Sequence, residues 1–115
     1  ANLLARNGVC AIVALVSPYR NARNDVREMA KKDGVTFIEV YTRCPLAVAE
    51  ARDVKGHYKK ARAGELAHFT GVSDFYEEPL SPEIAVDTTV FTPGENVGQI
   101  MAYFLDQKKS VVIEH

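Results

Sequence analysis

Apolar positions along this chain fall into two alternating kinds of pattern, continuous β-branched runs and helically spaced stripes, and their order predicts the elements. "ANLLARNG" opens the chain as the last turns of a helix whose beginning is missing, with Leu3 and Leu4 apolar, then Arg6 and the stop signal Asn7-Gly8. It reads as the interior of a longer protein. "VCAIVALVS" is a continuous apolar run suited to a parallel strand covered on both faces, ended by Pro18. From Asn21 to Lys32, apolar Ala22, Val26, Met29 and Ala30 alternate with charges, which predicts an amphipathic helix stopped by Asp33-Gly34. "VTFIEVYT" is a second buried-type strand, broken by Cys44-Pro45, and "PLAVAEARD" starts a helix with Pro45 at its first position, where the missing N–H costs nothing. A short helix is predicted from His57 to Glu65, a turn-rich acidic loop from Gly71 to Pro82, a third strand in "EIAVDTT", and a closing helix in "PGENVGQIMAYFLDQKK" with Val97, Ile100, Met101, Phe104 and Leu105 on one face.

Strands separated by helical patterns with short connections predict one α/β domain over residues 1–115, a parallel sheet of three strands with flanking helices and right-handed crossovers. Ligands of such sheets lie beyond the carboxyl ends of the strands, which places "SPYR", "RCP" and the "TTVFTPG" turn on one edge.

Composition narrows the function. A formal net charge of −1 argues against a general nucleic-acid or membrane-surface binder, which carries a broad basic excess. The longest apolar run, Val9 to Val16, is too short to cross a bilayer, and the start lacks the order of a signal peptide. Cys10 and Cys44 match no metal spacing and are expected to stay reduced, in a cytoplasmic setting.

Against this near-neutral background, residues 52–71, "RDVKGHYKKARAGELAHFTG", hold five Lys or Arg and two His around two acids. Lys55 and Lys59, like Tyr58 and Arg62, lie four apart, so the charges spread over more than one helical face. A solvated face interleaves acids, and their scarcity here favours an anion-binding lid with Gly56, Gly64 and Gly71 as bending points. Phe69 either anchors this loop to the core or stacks on a flat ring such as a nucleobase. In "SPYR", Ser17 either caps the following helix or presents a hydroxyl to an anionic ligand, with Arg20 supplying a forked donor for phosphate or sulfate. His57 and His68 have no carboxylate partner evident in the sequence and read as solvent-facing or supporting groups, and the run Asp74, Glu77, Glu78 reads as a solubilising loop.

Taken together, "SPYR", "ARDVKGHYKKARAGE", "FTGV", "YEEP" and "PEI" resemble adenylylsulfate kinase over nearly the whole chain. The resemblance implies a three-layer P-loop kinase-like α/β fold with residues 52–71 as its mobile lid, incomplete at the N-terminus. It implies transfer of the ATP γ-phosphate to the 3′-hydroxyl of adenosine 5′-phosphosulfate, with Mg²⁺ accompanying ATP and no metal ligands in this chain. By position it places Val16, Ser17, Arg20, Lys55, His68 and Phe69 toward adenylylsulfate and Arg52, Arg62 and Phe91 toward ATP, and it marks Ser17 as the family's phosphoserine position. As partners it implies the two nucleotides, neither nucleic acid nor membrane, and it allows a homodimer and fusion to or association with an ATP sulfurylase.

The chain departs from the family in having no G-x-x-x-x-G-K-[ST] phosphate loop and none of the segment that follows it. Smaller departures are Ala22, Arg43 and "ELAH". Three readings follow: part of a complete kinase or of a fused sulfurylase–kinase, a non-catalytic nucleotide-binding regulatory module, or an incomplete gene product. The intact "KGHYKKARAG" and "FTG" favour the first.

Overall fold

The computed structural model describes residues 1–53, 55–64 and 75–113, with the side chains of the last helix described to residue 107. In chain order the elements are α1 (Asn2–Arg6), α2 (Arg20–Lys32), β1 (Val40–Arg43), α3 (Leu46–Ala51), α4 (His57–Arg62), β2 (Ile84–Asp87) and α5 (Pro93–Ile113). They fall into two compact units, Ala1–Phe37 with Asp53–Leu80, and Ile38–Arg52 with Ser81–His115.

The second unit holds the sheet. β1 and β2 pair in parallel, Val40 opposite Ile84 and Arg43 opposite Asp87. The pairing extends at both ends, through the Ile84 amide donating to the Glu39 carbonyl at 3.2 Å and the Thr88 amide donating to the Arg43 carbonyl at 3.2 Å. Ile84 and Val86 are buried on one face of β2 while Ala85 between them is exposed, the period-two pattern of a strand covered on one side. α5 packs on β2. Its start is fixed by Thr92, whose hydroxyl oxygen accepts from the Glu95 amide at 3.2 Å, with Pro93 at the first helical position. The buried residue of α5 is Asn96, which donates from Nδ2 to the Asp87 carbonyl at 3.3 Å. Val97, Met101 and Leu105, expected on the packed face, are about half exposed, and Ile100 and Phe104 are partly buried. Pro45 stands one residue before α3 as its cap, with extended ψ of 143°.

In the first unit, α1 and α2 both end as Schellman motifs. Gly8 and Gly34 sit at φ of +80° and +67° while the amides of Val9 and Val35 reach back to the carbonyls of Leu4 and Ala30. The stop signals in the sequence therefore mark real helix ends. The predicted stripe of α2 does not: Val26 and Met29 are about half exposed, and only Ala30 of the four is buried. The half-buried positions are instead Arg23 and Arg27, whose guanidinium groups stack over Tyr76 at 5.5 Å and Phe37 at 4.9 Å. Arginine stems and planes serve here as the apolar-covering surface of the helix.

The sheet differs from expectation in one respect. Residues 9–16 take no strand among the described elements; Ile12 is 92% exposed and Leu15 76% exposed, so the run predicted to be covered on both faces is open. A strand exists only through a neighbour that accepts its ladder hydrogen bonds, and none of the described residues supplies one. β1 is likewise shorter than predicted, with residues 35–39 outside it and none of its residues buried.

Two glycines test this picture with opposite signs. Gly34→Ala places a Cβ at φ +67° and should destabilise by about 1 kcal/mol, the cost of a left-handed non-glycine residue. Gly98→Ala, inside α5 with no atom within 4 Å of the added Cβ, should stabilise by up to about 1 kcal/mol. Urea unfolding of both variants measures the difference.

Candidate functional site

At the carboxyl end of the sheet, Thr88 closes the strand pair. Its amide and its hydroxyl both donate to the Arg43 carbonyl, each at 3.2 Å. Arg52, just past the end of α3, reaches the same residue: Nη2 donates to the Thr88 carbonyl at 3.0 Å and Nη1 to Thr88 Oγ1 at 3.3 Å. One residue earlier, Asp87 Oδ1 accepts from the Thr89 amide at 2.8 Å and the Thr89 hydroxyl at 2.6 Å, and the Asp87 carbonyl accepts from the Phe91 amide at 3.2 Å. The chain thereby turns tightly between β2 and α5 and leaves Phe91 about half exposed. Of the two parts expected to meet at the strand ends in this unit, "RCP" and the "TTVFTPG" turn, both are there. Arg52 and the turn carrying Phe91 are brought together through Thr88.

The Asp87 carboxyl is held below the usual aspartate range, chiefly by the Thr89 hydroxyl and then the Thr89 amide, with the Val90 amide and the Arg43 charge adding to them against a small opposing desolvation.

The first unit positions the other candidates. Ser17 has a φ of +42°, the one non-glycine residue with positive φ among the described residues, and Val16 before it is 64% exposed. Arg20 opens α2: its amide donates to Glu77 Oε1 at 3.1 Å, Nε to the Glu78 carbonyl at 2.7 Å, and Nη1 lies 3.8 Å from Glu77 Oε2. The Glu77 amide in turn donates to the Pro18 carbonyl at 2.9 Å. Arg23 donates to the carbonyls of Ser17 and Glu77. The acidic loop read from sequence as a solubilising run is thus tied to "SPYR". Sequence reasoning missed Arg23 and Glu77; the "YEEP" acids lie more than fifty residues from the arginines they meet, and no local pattern signals such a pair.

Within residues 52–71, α4 follows Gly56 in left-handed conformation at φ +68°. Asp53 caps it from upstream, accepting from the amides of His57 at 3.0 Å, Tyr58 at 3.0 Å and Lys59 at 3.4 Å. One of the segment's two acids is therefore committed to the helix start, and Lys55, Lys59, Lys60 and Arg62 are exposed. α4 ends at Arg62, earlier than the predicted Glu65. Glu65, His68, Phe69, Gly71, Asp74 and His115 lie outside the described residues. Among the described residues no group of three or more His, Cys, Asp or Glu stands ready to hold a metal ion, and no helix is long and apolar enough to cross a membrane.

The described elements are an α/β arrangement with a parallel two-stranded sheet and helices, and likeness to solved structures gives the class: a P-loop kinase-like α/β fold. The family model for adenylylsulphate kinase matches residues 1–87. The adenylyl-sulfate kinase of Myxococcus xanthus is 55% identical over 92 residues, 80% of this chain and 50% of that protein. A probable bifunctional SAT/APS kinase of Sorangium cellulosum is 45% identical over 102 residues, 89% of this chain and 17% of that protein. Among solved structures, the Mycobacterium tuberculosis APS kinase in complex with AMPPNP and APS superposes with a TM-score of 0.83 at 35% identity, over 89% of this chain and 58% of that one. The chain belongs to the adenylylsulphate kinase family and spans about half the length of the adenylyl-sulfate kinases it matches.

The turn gives a pH prediction. Because the folded Asp87 carboxyl titrates below its unfolded value, its contribution to stability is fully present above the usual aspartate range and is lost as pH falls through the lowered folded value. Thr89→Ala removes the largest cause of that lowering. Carboxyl ¹³C titration should then show the Asp87 pKa raised toward the usual range, and acid unfolding should become less dependent on this group.

Proposed function

We propose that this chain supplies the lid-bearing, carboxyl-terminal part of an adenylylsulfate kinase, which transfers the γ-phosphate of ATP to the 3′-hydroxyl of adenosine 5′-phosphosulfate. The observation that carries this reading, beside family membership, is the hold of Arg52 on Thr88, which puts a guanidinium at the carboxyl edge of the strands beside the turn bearing Phe91. In phosphoryl transfer the protein acts mainly by positioning the reactants and stabilising charge on the moving group. In this reading Arg52, Arg62 and Phe91 serve the ATP side, while Val16, Ser17, Arg20, Lys55, His68 and Phe69 serve adenylylsulfate. Support for the two ligands comes from the Mycobacterium tuberculosis relative, solved with AMPPNP and APS.

Arg20, already joined to Glu77 and Glu78, offers its remaining donors from a fixed base. Ser17 positions phosphate or sulfate through its hydroxyl; in-line transfer needs no covalent stage. Mg²⁺ enters this reading as the ion that accompanies ATP. Likeness to the Sorangium cellulosum protein supports a form fused to a sulfurylase as one setting for the same chemistry.

The 115 residues contain no G-x-x-x-x-G-K-[ST] loop, whose backbone and Lys cradle the β- and γ-phosphates. The purified chain should therefore give no detectable phosphorylation of adenylylsulfate in a coupled assay, and rapid conversion would contradict the assignment of roles. In the complete kinase this reading implies, Phe69→Ala should weaken adenylylsulfate by roughly 1–3 kcal/mol, the cost of a base–aromatic stack, and ATP much less. Phe69→Tyr should retain binding and Phe69→Leu should not. Calorimetric titration with both nucleotides decides it: wild-type affinity in the Leu variant would make Phe69 a packing anchor.

A further inference from the structure

The geometry points to Arg23 as a positioning residue that locks the Ser17–Pro18 turn to the loop at Tyr76–Glu78 and so fixes where the Ser17 hydroxyl stands. Three observations converge on it. Ser17 is at φ +42°, a conformation that is strained for an L-residue, and it precedes a proline, which ordinarily pushes its predecessor to extended backbone. Such a residue persists only where its surroundings over-determine it.

Arg23 supplies that determination. One guanidinium nitrogen donates to the Ser17 carbonyl, the other to the Glu77 carbonyl, and the plane stacks on Tyr76 at 5.5 Å. The Glu77 amide closes the circuit by donating to the Pro18 carbonyl at 2.9 Å. The guanidinium offers two nitrogens in a fixed fork that reaches both carbonyls from over the ring, whereas a lysine ammonium carries its donors on a single atom and does not reproduce that fork. Arg20 holds the same loop from the neighbouring turn of α2, its hydrogen bonds going to Glu77 and Glu78. The two arginines therefore divide the work: Arg20 anchors the loop, and Arg23 transmits that anchor to the strained serine. This role rests on the proposed reading in which Val16 and Ser17 face adenylylsulfate.

The test uses the chain itself as wild type, Arg23→Lys and Arg23→Ala. Amide hydrogen exchange in the chain is read at Glu77, with Met29 inside α2 as the internal reference, and adenylylsulfate and ATP are titrated by calorimetry into the same variants of the complete kinase that the proposed function implies. Both variants should speed Glu77 exchange about tenfold or more relative to Met29, the equivalent of one lost hydrogen bond to the loop, and should weaken adenylylsulfate about tenfold while ATP is unchanged. Lysine should not rescue. If the Lys variant keeps wild-type exchange and affinity, charge alone suffices and the clamp is overturned. If Glu77 and Met29 lose protection together and both nucleotides weaken alike, Arg23 is a general stabiliser and the positioning role is overturned. If the complete kinase binds no adenylylsulfate, the substrate side of the proposal falls with the proposed function, while Glu77 exchange still decides whether Arg23 holds the turn.

Discussion

The Thr88–Arg43 junction is the constraint on which the carboxyl edge of the sheet depends. It carries the parallel pairing of β1 and β2 one residue beyond the strands, so the chain leaves the sheet at a fixed point. Arg52 then has a defined place to bind, and the Asp87 carboxylate and Thr92 hydroxyl fold the next five residues into a turn that delivers α5 back onto β2. Each of these hydrogen bonds is exposed and modest taken singly, with a net worth of about 1 kcal/mol. Their combined effect is geometric, since they leave the turn few alternatives.

The other unit solves a different problem with arginine. A helix with few large apolar residues covers its neighbours by laying Arg23 and Arg27 over aromatic rings, and the same guanidinium that packs also donates to backbone carbonyls. Packing and polar satisfaction thus come from one side chain. That economy has a consequence for function, because the groups that hold "SPYR" in place are chemically the same kind that recognise phosphate and sulfate, and sequence composition cannot tell a positioning arginine from a binding one.

Local signals were legible in the sequence and long-range ones were not. Asn7-Gly8 and Asp33-Gly34 announced helix ends because a left-handed glycine is a one-residue requirement. The closing helix was legible from "PGENV" onward, and the structure adds the Thr92 hydroxyl as what fixes its start. The apolar run at residues 9–16 predicted a strand, yet a strand is a property of two segments, and its own composition says nothing about whether a neighbour is at hand. On α2 the apolar stripe misplaced the packed face, since Arg23 and Arg27 occupy it, and on α5 it was met in part, with Ile100 and Phe104 partly buried beside Asn96 while Val97, Met101 and Leu105 are about half exposed. At the site, residue types and spacing in "SPYR" and "ARDVKGHYKKARAGE" carried the family, whereas Asp53 as a helix cap and Glu77 as the partner of Arg20 appear only when the chain is folded.

The central claim is that these residues form the lid-bearing part of a kinase and need a phosphate loop to act. Its most direct measurement joins the chain to the portion of the Myxococcus xanthus adenylyl-sulfate kinase that lies outside the matched region and assays phosphorylation of adenylylsulfate by ATP. The account predicts that the joined protein phosphorylates adenylylsulfate where the chain alone does not, and that Arg52→Ala in it loses most of that rate. A joined protein that is folded by hydrogen exchange and binds ATP, yet transfers no phosphate, would contradict it.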